Sequence, residues 1–327
     1  MDFDALFKNI NSLNIAVIGD FCLDAYWLAD MQKSVLSRET PHFPLPVISE
    51  RYSPGAAGNV ARCVKTLSPS SVKAIGIIGD DWRGKILKEL LDRENINTDG
   101  IFVQKDIFTN AYIKPVRKGI SDVAYEDPRI DFENYNNISK QAEDKIIDYL
   151  DKQADLDALL VCDQMICGCI TDRVRNKITS MAKQGLFVIA DSRNNISKYK
   201  YAFIKPNDFE AKKAAGKQDE EKAAIILSEM TKKPVIVTLG ERGCLTAVNG
   251  KINYVEAVET TGAIDIVGAG DAFMSAFALA YKATEDLVFS CKFANTASAV
   301  VIKKIGTTGT ASREEIENIW NQPNFGV

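Results

Sequence analysis

Thr260-Thr261-Gly262-Ala263-Ile264-Asp265-Ile266-Val267-Gly268-Ala269-Gly270-Asp271-Ala272-Phe273 is the stretch on which the reading of this 327-residue chain turns. Small residues at Gly268, Ala269 and Gly270 let backbone N–H groups approach an anion closely, and the Ala-rich apolar run from Ala272 reads as a helix whose positive end faces that anion. Asp271 stands at the mouth of such a cradle, where bound phosphate would repel it unless it has a task. Taking the proton from a hydroxyl that attacks phosphorus is such a task. The same spacing also fits a strand-to-helix turn closed by glycines and capped by Asp271. The stretch alone does not separate the two.

Upstream of it, apolar strands at 157–162, 186–191, 201–205 and 234–239 alternate with helical stretches at about 136–152, 171–184 and 207–232. Alternating β and α predicts a parallel sheet with helices on both faces. Downstream, Thr284-Glu285-Asp286 opens a nearly all-apolar helix that runs to Val301. In the first half, Asn14-Ile15-Ala16-Val17-Ile18-Gly19-Asp20 reads as a buried parallel strand whose carboxyl end opens a site, which places Asp20 and Asp24 to hold hydroxyl groups. Val72 to Ile78 is a second such strand. The following Gly79-Asp80-Asp81-Trp82-Arg83-Gly84-Lys85-Ile86 nearly spells a phosphate-binding loop, but Ile86 replaces the Mg²⁺-holding hydroxyl and two acids occupy the loop. It reads as a βα turn. Pro54-Gly55-Ala56-Ala57-Gly58-Asn59 leads into an apolar helix, with small residues that let a ligand lie close and an Asn59 able to donate and accept.

Residues 26–52 show no helical period, and Pro41, Pro44 and Pro46 mark an edge strand or projecting flap. Thr109 to Val116 and Val123 to Phe132 are joined by Lys118-Gly119 and Ser121-Asp122, which predicts a hairpin. The expectation is one α/β domain over residues 1–327, with lid segments at 26–52 and 104–132 that close over a substrate or pair with their copy in another subunit. Unpaired edges on such a lid favour a homodimer.

With 46% apolar and 26% charged residues the chain can bury a large core. A net charge of -4 argues against nucleic acid or anionic membrane as a partner. No apolar run reaches membrane-spanning length and the acidic start lacks the layout of a signal peptide, so a cytoplasmic protein is expected. Seven cysteines lie mostly in apolar runs, as buried free thiols do in a reducing compartment. Cys167-Gly168-Cys169 is the one close pair, and with His42 the only histidine a structural zinc site is not expected.

Gly19-Asp20 with Asp24, Gly55 to Asn59, Pro206-Asn207-Asp208-Phe209-Glu210, Thr238-Leu239-Gly240 with Gly243, Gly268-Ala269-Gly270-Asp271 and Phe293-Ala294-Asn295 occur in an order that resembles the ribokinase (PfkB-type) carbohydrate kinases. Residues 54–61 and Arg129-Ile130-Asp131-Phe132 look most like the heptose 7-phosphate kinase branch. The resemblance implies a ribokinase-like α/β fold, with a mostly parallel central sheet and a small β lid, and transfer of the ATP γ-phosphate to a sugar or sugar-phosphate hydroxyl. It implies Asp271 as base and the amides of Gly268, Ala269 and Gly270 as the anion hole, with Asp20, Asp24, Gly55, Asn59, Arg129 and Asp163 on the substrate side. By the same resemblance Asn207, Thr238, Gly240, Gly243 and Asn295 are expected on the nucleotide side, Asn207 and Glu210 are expected to organise Mg²⁺ through water, and Asp265 is a candidate K⁺ ligand.

The chain departs from the pattern in places. Ile266 and Val267 stand where the family usually has a hydroxyl residue near the cation loop. Asp163-Gln164-Met165-Ile166-Cys167-Gly168 and Asp191-Ser192-Arg193 lack the lysines usual in the heptose branch, so fewer basic contacts to a phosphorylated sugar are expected. The other readings are a kinase of a nucleoside or small alcohol on the same fold, or a non-catalytic sugar- and nucleotide-binding protein, which has no physical need for a carboxylate beside phosphate. A dinucleotide dehydrogenase fails on the glycine pattern, because Phe273 takes the third glycine position.

Overall fold

The computed structural model describes residues 2–120, 123–306 and 308–322. In chain order it contains α1 (Phe3–Ile10), β1 (Asn14–Gly19), β2 (Phe21–Asp30), β3 (Val47–Ala56), α2 (Ala57–Thr66), β4 (Ser71–Gly79), α3 (Trp82–Arg93), β5 (Asn97–Gln104), β6 (Asn110–Lys118), β7 (Ala124–Glu126) and β8 (Ile130–Phe132). There follow α4 (Lys140–Asp151), β9 (Ala158–Asp163), α5 (Asp172–Lys183), β10 (Phe187–Ser192), β11 (Phe203–Ile204), α6 (Asp208–Ala215), α7 (Glu220–Thr231) and β12 (Val235–Thr238). The last elements are β13 (Cys244–Val248), β14 (Lys251–Val255), α8 (Ala269–Thr284), α9 (Leu287–Ile302) and α10 (Arg313–Trp320).

Nine strands form the main sheet in the order β14-β13-β12-β11-β10-β9-β1-β4-β5. All its pairs are parallel except β12–β13 and β13–β14. Side chains alternate across it: Ile15 and Val17 enter the core under α1, α2, α8 and α9, whereas Ala16 and Ile18 enter the core under α4, α5 and α7. Burial on both faces explains why the strands read as continuous apolar runs. The chain winds from β1 out through β4 and β5, then crosses back to β9 on the other side of β1. Strand order therefore reverses between β1 and β9, where open α/β sheets bind ligands.

The lid is a second sheet, ordered β3-β2-β6-β7 with β8 also paired to β6. Only Asp20 separates β1 from β2, so the lid grows directly out of the main sheet and begins earlier than the expected residue 26. It ends later too, since β3 runs to Ala56. The pairing of β6 with β7 makes the expected hairpin, whose Ser121 and Asp122 lie outside the described residues.

One expected helix, 207–232, is in fact two. Gly216, at φ +64, closes α6 by donating to Lys212 and Lys213 carbonyls, and Asp219 caps α7 by accepting from Lys222 N. The expected strand at 201–205 shrinks to Phe203–Ile204, because Tyr201 takes a left-handed φ of +58 and gives its N–H to Thr231 O. At the phosphate-loop look-alike, Asp81 caps α3 through Gly84 N (2.9 Å) and pairs with Arg83 (2.6 Å), which is βα-turn chemistry. All seven cysteines are free, and six are buried. Among the described residues no helix is long and apolar enough to cross a membrane.

Candidate active site

A cavity of about 280 Å³ opens beside the carboxyl ends of β1 and β9, under the lid. It is lined by Cys22, Asp24 and Asn59, by Tyr112, Lys114 and Arg129 of the lid, by Cys162, Gln164, Met165, Asp191 and Arg193, and by Val267, Gly268, Asp271 and Thr308. Residues far apart in sequence meet here because parallel strands all end at the same edge.

Gly268 is the N-cap of α8 at φ +86, a left-handed conformation that favours glycine. The turn reading of this stretch, with Asp271 as the cap, therefore does not hold: Asp271 lies inside the first helical turn. Val267 N bonds Asp265 Oδ1 and Ala269 N bonds Ile266 O (3.2 Å). The N–H groups of Gly268, Gly270 and Asp271 have no partner among the described residues, which leaves three donors at the positive end of a 16-residue helix. The Ala269 amide, expected among the donors, is engaged in the turn instead.

Asp271 accepts from Asn59 Nδ2 at 2.7 Å and faces the cavity. Burial, with the Asp191 charge adding to it against the Asn59 hydrogen bond, pushes its carboxyl up to about 6. Such a group is ionised at neutral pH yet receptive to a proton, as a general base needs to be. Asn59 is fully buried on α2, and its Oδ1 has no hydrogen-bond partner among the described residues. Thr308 Oγ1, on the same cavity wall, is a second orphaned polar atom. Buried polar atoms without partners are costly, and here they line the space a polar ligand would fill.

Asp24 projects from β2 toward the cavity, and burial raises its carboxyl to about 6 against the pull of Lys114 and Arg129. Gly55 makes room for it: a Cβ there would lie 2.6 Å from Asp24 Oδ2 and from Cys22 Sγ. Arg129 donates to Asp131 through Nε and Nη2 (2.6 and 2.7 Å) and lies 4.2 Å over the Tyr112 ring while still lining the cavity.

Two expected substrate residues face elsewhere. Asp20 accepts the amides of Gln164, Met165 and Cys169 (2.8, 2.7 and 2.8 Å), so it pins the loop after β9. That contact requires Gly168, where a Cβ would lie 2.2 Å from Asp20 Oδ1. Asp163 is 3% exposed and accepts from Ser192, Tyr199 and Asn195, with Arg175 at 3.4 Å. Its hydrogen bonds tie β9 to the segment after β10.

The expected nucleotide residues lie outside the lining of this cavity. Asn207 and Glu210 form a reciprocal capping box at the start of α6 (2.8 and 3.0 Å), and burial followed by the Asp191 charge raises the Glu210 carboxyl. Asn207 also bridges to Thr238 at the end of β12. Gly243, at φ +85, would place a Cβ 2.2 Å from Val255 O, and Asn295 donates to Val255 and Glu256 carbonyls. Gly240 has φ +62 with open space beside it. Asp265 accepts from Val267 N and Gly306 N (both 3.1 Å), which ties the loop before α8 to the turn after α9.

Lys114, Arg193 and Lys205 went unpredicted. Arg193 is exposed at the cavity, and its guanidinium has no ion pair or hydrogen bond among the described residues. Lys205 is 3% exposed and pairs with Asp191 at 2.8 Å. Its signal was a lysine at the carboxyl end of an apolar strand; Lys114 sat unmarked in a weakly alternating run.

A sheet whose strand order reverses beside a cavity, with a carboxylate set beside free amides at a helix start, is an arrangement suited to phosphoryl transfer to a small molecule. The chain belongs to the pfkB family of carbohydrate kinases, whose family model matches residues 14–314. Among its curated relatives are proteins named Bifunctional protein HldE, one from Hyphomonas neptunium at 29% identity over 93% of this chain and one from Helicobacter acinonychis at 30% over 94%. The chain spans 62% and 66% of their lengths. These relatives bear out the resemblance to the heptose branch. In fold it is similar to phosphofructokinase-2 from Escherichia coli in complex with substrates and products (TM-score 0.74, 20% identity, 94% of this chain and 98% of that one). It is also similar to Arabidopsis thaliana ribokinase complexed with ribose and ATP (0.69, 18%, 95% and 99%).

Proposed function

We propose that this protein is a cytoplasmic, ATP- and Mg²⁺-dependent kinase that phosphorylates a hydroxyl of a sugar phosphate. The observation that carries the reading is Asp271: a carboxylate held by Asn59, lifted toward neutrality by burial, facing the cavity beside three amides that have no partner among the described residues. The residues fit the groups the family uses. The free N–H groups of Gly268, Gly270 and Asp271 suit phosphoryl oxygens, and Glu210 with Asn207 offers oxygen ligands of the kind Mg²⁺ takes when phosphates and water complete its shell. Among the described residues no group of three or more acids, cysteines or histidines is placed to hold a metal ion.

Bound nucleotide and metal supply the transferable phosphoryl group and screen its charge. Asp24 and Asn59 hold acceptor hydroxyls, and Asn59 fixes the carboxylate of Asp271 so that it meets the attacking one. Asp271 takes that proton, while the amides at the start of α8 donate to the oxygens on which charge gathers. The lid strands keep water from the cavity. Asp265 is where a K⁺ ion would act on the cradle, by way of the loop it ties to Gly306.

A phosphorylated acceptor is favoured because Lys114, Arg129 and Arg193 all line the cavity, and the Arg193 guanidinium has no partner among the described residues. Arg193, within one of the segments that lack a heptose-branch lysine, and Lys114 and Arg129 from the lid supply the charge that those lysines do not. The test is an ADP-release screen over free sugars, nucleosides and sugar phosphates. ADP release with one or more sugar phosphates, and a KM for them raised at least tenfold in Arg193→Gln, are expected. Turnover confined to unphosphorylated sugars or nucleosides would overturn the choice of substrate class.

A further inference from the structure

Lys205 follows β11 directly, and its N–H bonds Ala190 O (2.9 Å), so its backbone is part of the sheet. Its ammonium is buried, and Asp191 at 2.8 Å is the one acceptor it has among the described residues. An ammonium has three N–H donors, so most of its capacity is unused. Burial works against its charge, and Asp191, then Glu210 and Asp271, hold the group above the ordinary lysine range. It is a fixed positive charge.

What that charge faces is the start of α8. A Cβ built at Gly270 would lie 3.5 Å from Lys205 Nζ, so the glycine leaves open the space between the ammonium and the first helical turn. A purely structural ion pair is a weak account of this arrangement. The strands it would join are already paired through Ile189–Phe203 and Ala190–Ile204, and buried ion pairs add little net stability over apolar replacements.

We propose that Lys205 is a catalytic residue, whose ammonium donates to an oxygen of the phosphoryl group in transfer while Asp191 holds it in place between turnovers. The proposal rests on the kinase reading above. In the step, the acceptor oxygen forms its bond to phosphorus, and the bond from phosphorus to the bridging oxygen of the donor breaks. The electron pair leaves with the nucleoside diphosphate, and the hydroxyl proton goes to Asp271. Lys205 neither gains nor loses a proton. It stabilises charge that is greatest on the phosphoryl oxygens in transit, together with the amides of Gly268 and Gly270.

The experiment compares wild type, Lys205→Met and the double variant Lys205→Met/Asp191→Asn, the last so that no unpaired carboxylate stays buried. For each, kcat and KM are measured with the best sugar substrate. Calorimetry gives the affinity for ADP alone and for ADP with aluminium fluoride plus sugar, and a melting curve checks the fold. Both variants are expected to lose about 10²–10³ in kcat, the usual cost of one such donor. ADP affinity should stay within about threefold, while the extra affinity conferred by aluminium fluoride disappears. A folded double variant with kcat near wild type, or one that keeps the aluminium fluoride gain, overturns the proposal and leaves the kinase reading standing. Wild type inert toward every sugar and sugar phosphate overturns both.

Discussion

Asp271 shares the cavity wall with Asp24, and the burial that lifts both carboxyls to about 6 has two consequences with opposite pH signs. Catalysis needs Asp271 ionised, so kcat/KM should be level above pH 7 and fall about tenfold per unit below pH 6. Stability runs the other way. A carboxyl whose folded pKa exceeds its unfolded one binds more protons in the native state, so its burial costs most above pH 6 and is relieved as pH falls toward 4. The melting temperature of Asp24→Asn relative to wild type should therefore be higher at pH 7.5 than at pH 5. A difference that does not change with pH would show that Asp24 is not the strained acid described. Gly55→Ala tests the same residue sterically: its Cβ would lie 2.6 Å from Asp24 Oδ2. Sugar KM should rise at least tenfold, with a smaller change in kcat. Asp24, Asn59, Arg129 and Asp271 were legible because a motif carries each to the cavity. Asp20 and Asp163 were read the same way, and nothing in a sequence separates an acid that points into a cavity from one that three amides or a tyrosine have already claimed.

Among the elements, the parallel strands were legible wherever both faces are buried, since β1, β4, β9 and β10 are then continuous apolar runs. The break between α6 and α7 was not, because one glycine inside a helical pattern is tolerated as often as it ends the helix. Its left-handed φ of +64 makes the point testable. Gly216→Ala should destabilise the protein by about 1 kcal/mol or slightly more, as measured by denaturant unfolding, without changing m. An effect near zero would mean that the α6 end relaxes freely. The antiparallel pair β13–β14 did leave a signal that went unread: Asn249-Gly250, at φ +50 and +74, is the two-residue turn that joins hairpin strands. Asn207 and Glu210, which we propose face Mg²⁺, form the capping box that starts α6.

Across the whole molecule, the lid has an outer surface that water does not favour. Val47, Ile48, Tyr125 and Ile130 are exposed large hydrophobic side chains on β3, β7 and β8. We propose that two lids pair in a homodimer, a state to be read by light scattering. Ile48→Asp with Tyr125→Asp should give a monomer that stays folded, and an unchanged mass would rule out this face. The arrangement that matters most for function, though, is at the reversal of strand order between β1 and β9. It brings Asp24 from the first lid strand, Arg193 from behind β10 and Asp271 from α8 to one cavity. The α/β class and the lid could be read from strand and helix periods, but which cations join that cavity depends on lid register, with Lys114 opposite Tyr26 on β2. Gly268-Ala269-Gly270-Asp271 is where the account is most exposed to test. Asp271→Asn keeps the shape of the side chain and its neighbour Asn59 while removing the base. Its turnover with the best sugar phosphate should fall about a thousandfold or more while binding of that sugar persists. Turnover within tenfold of wild type would contradict the account.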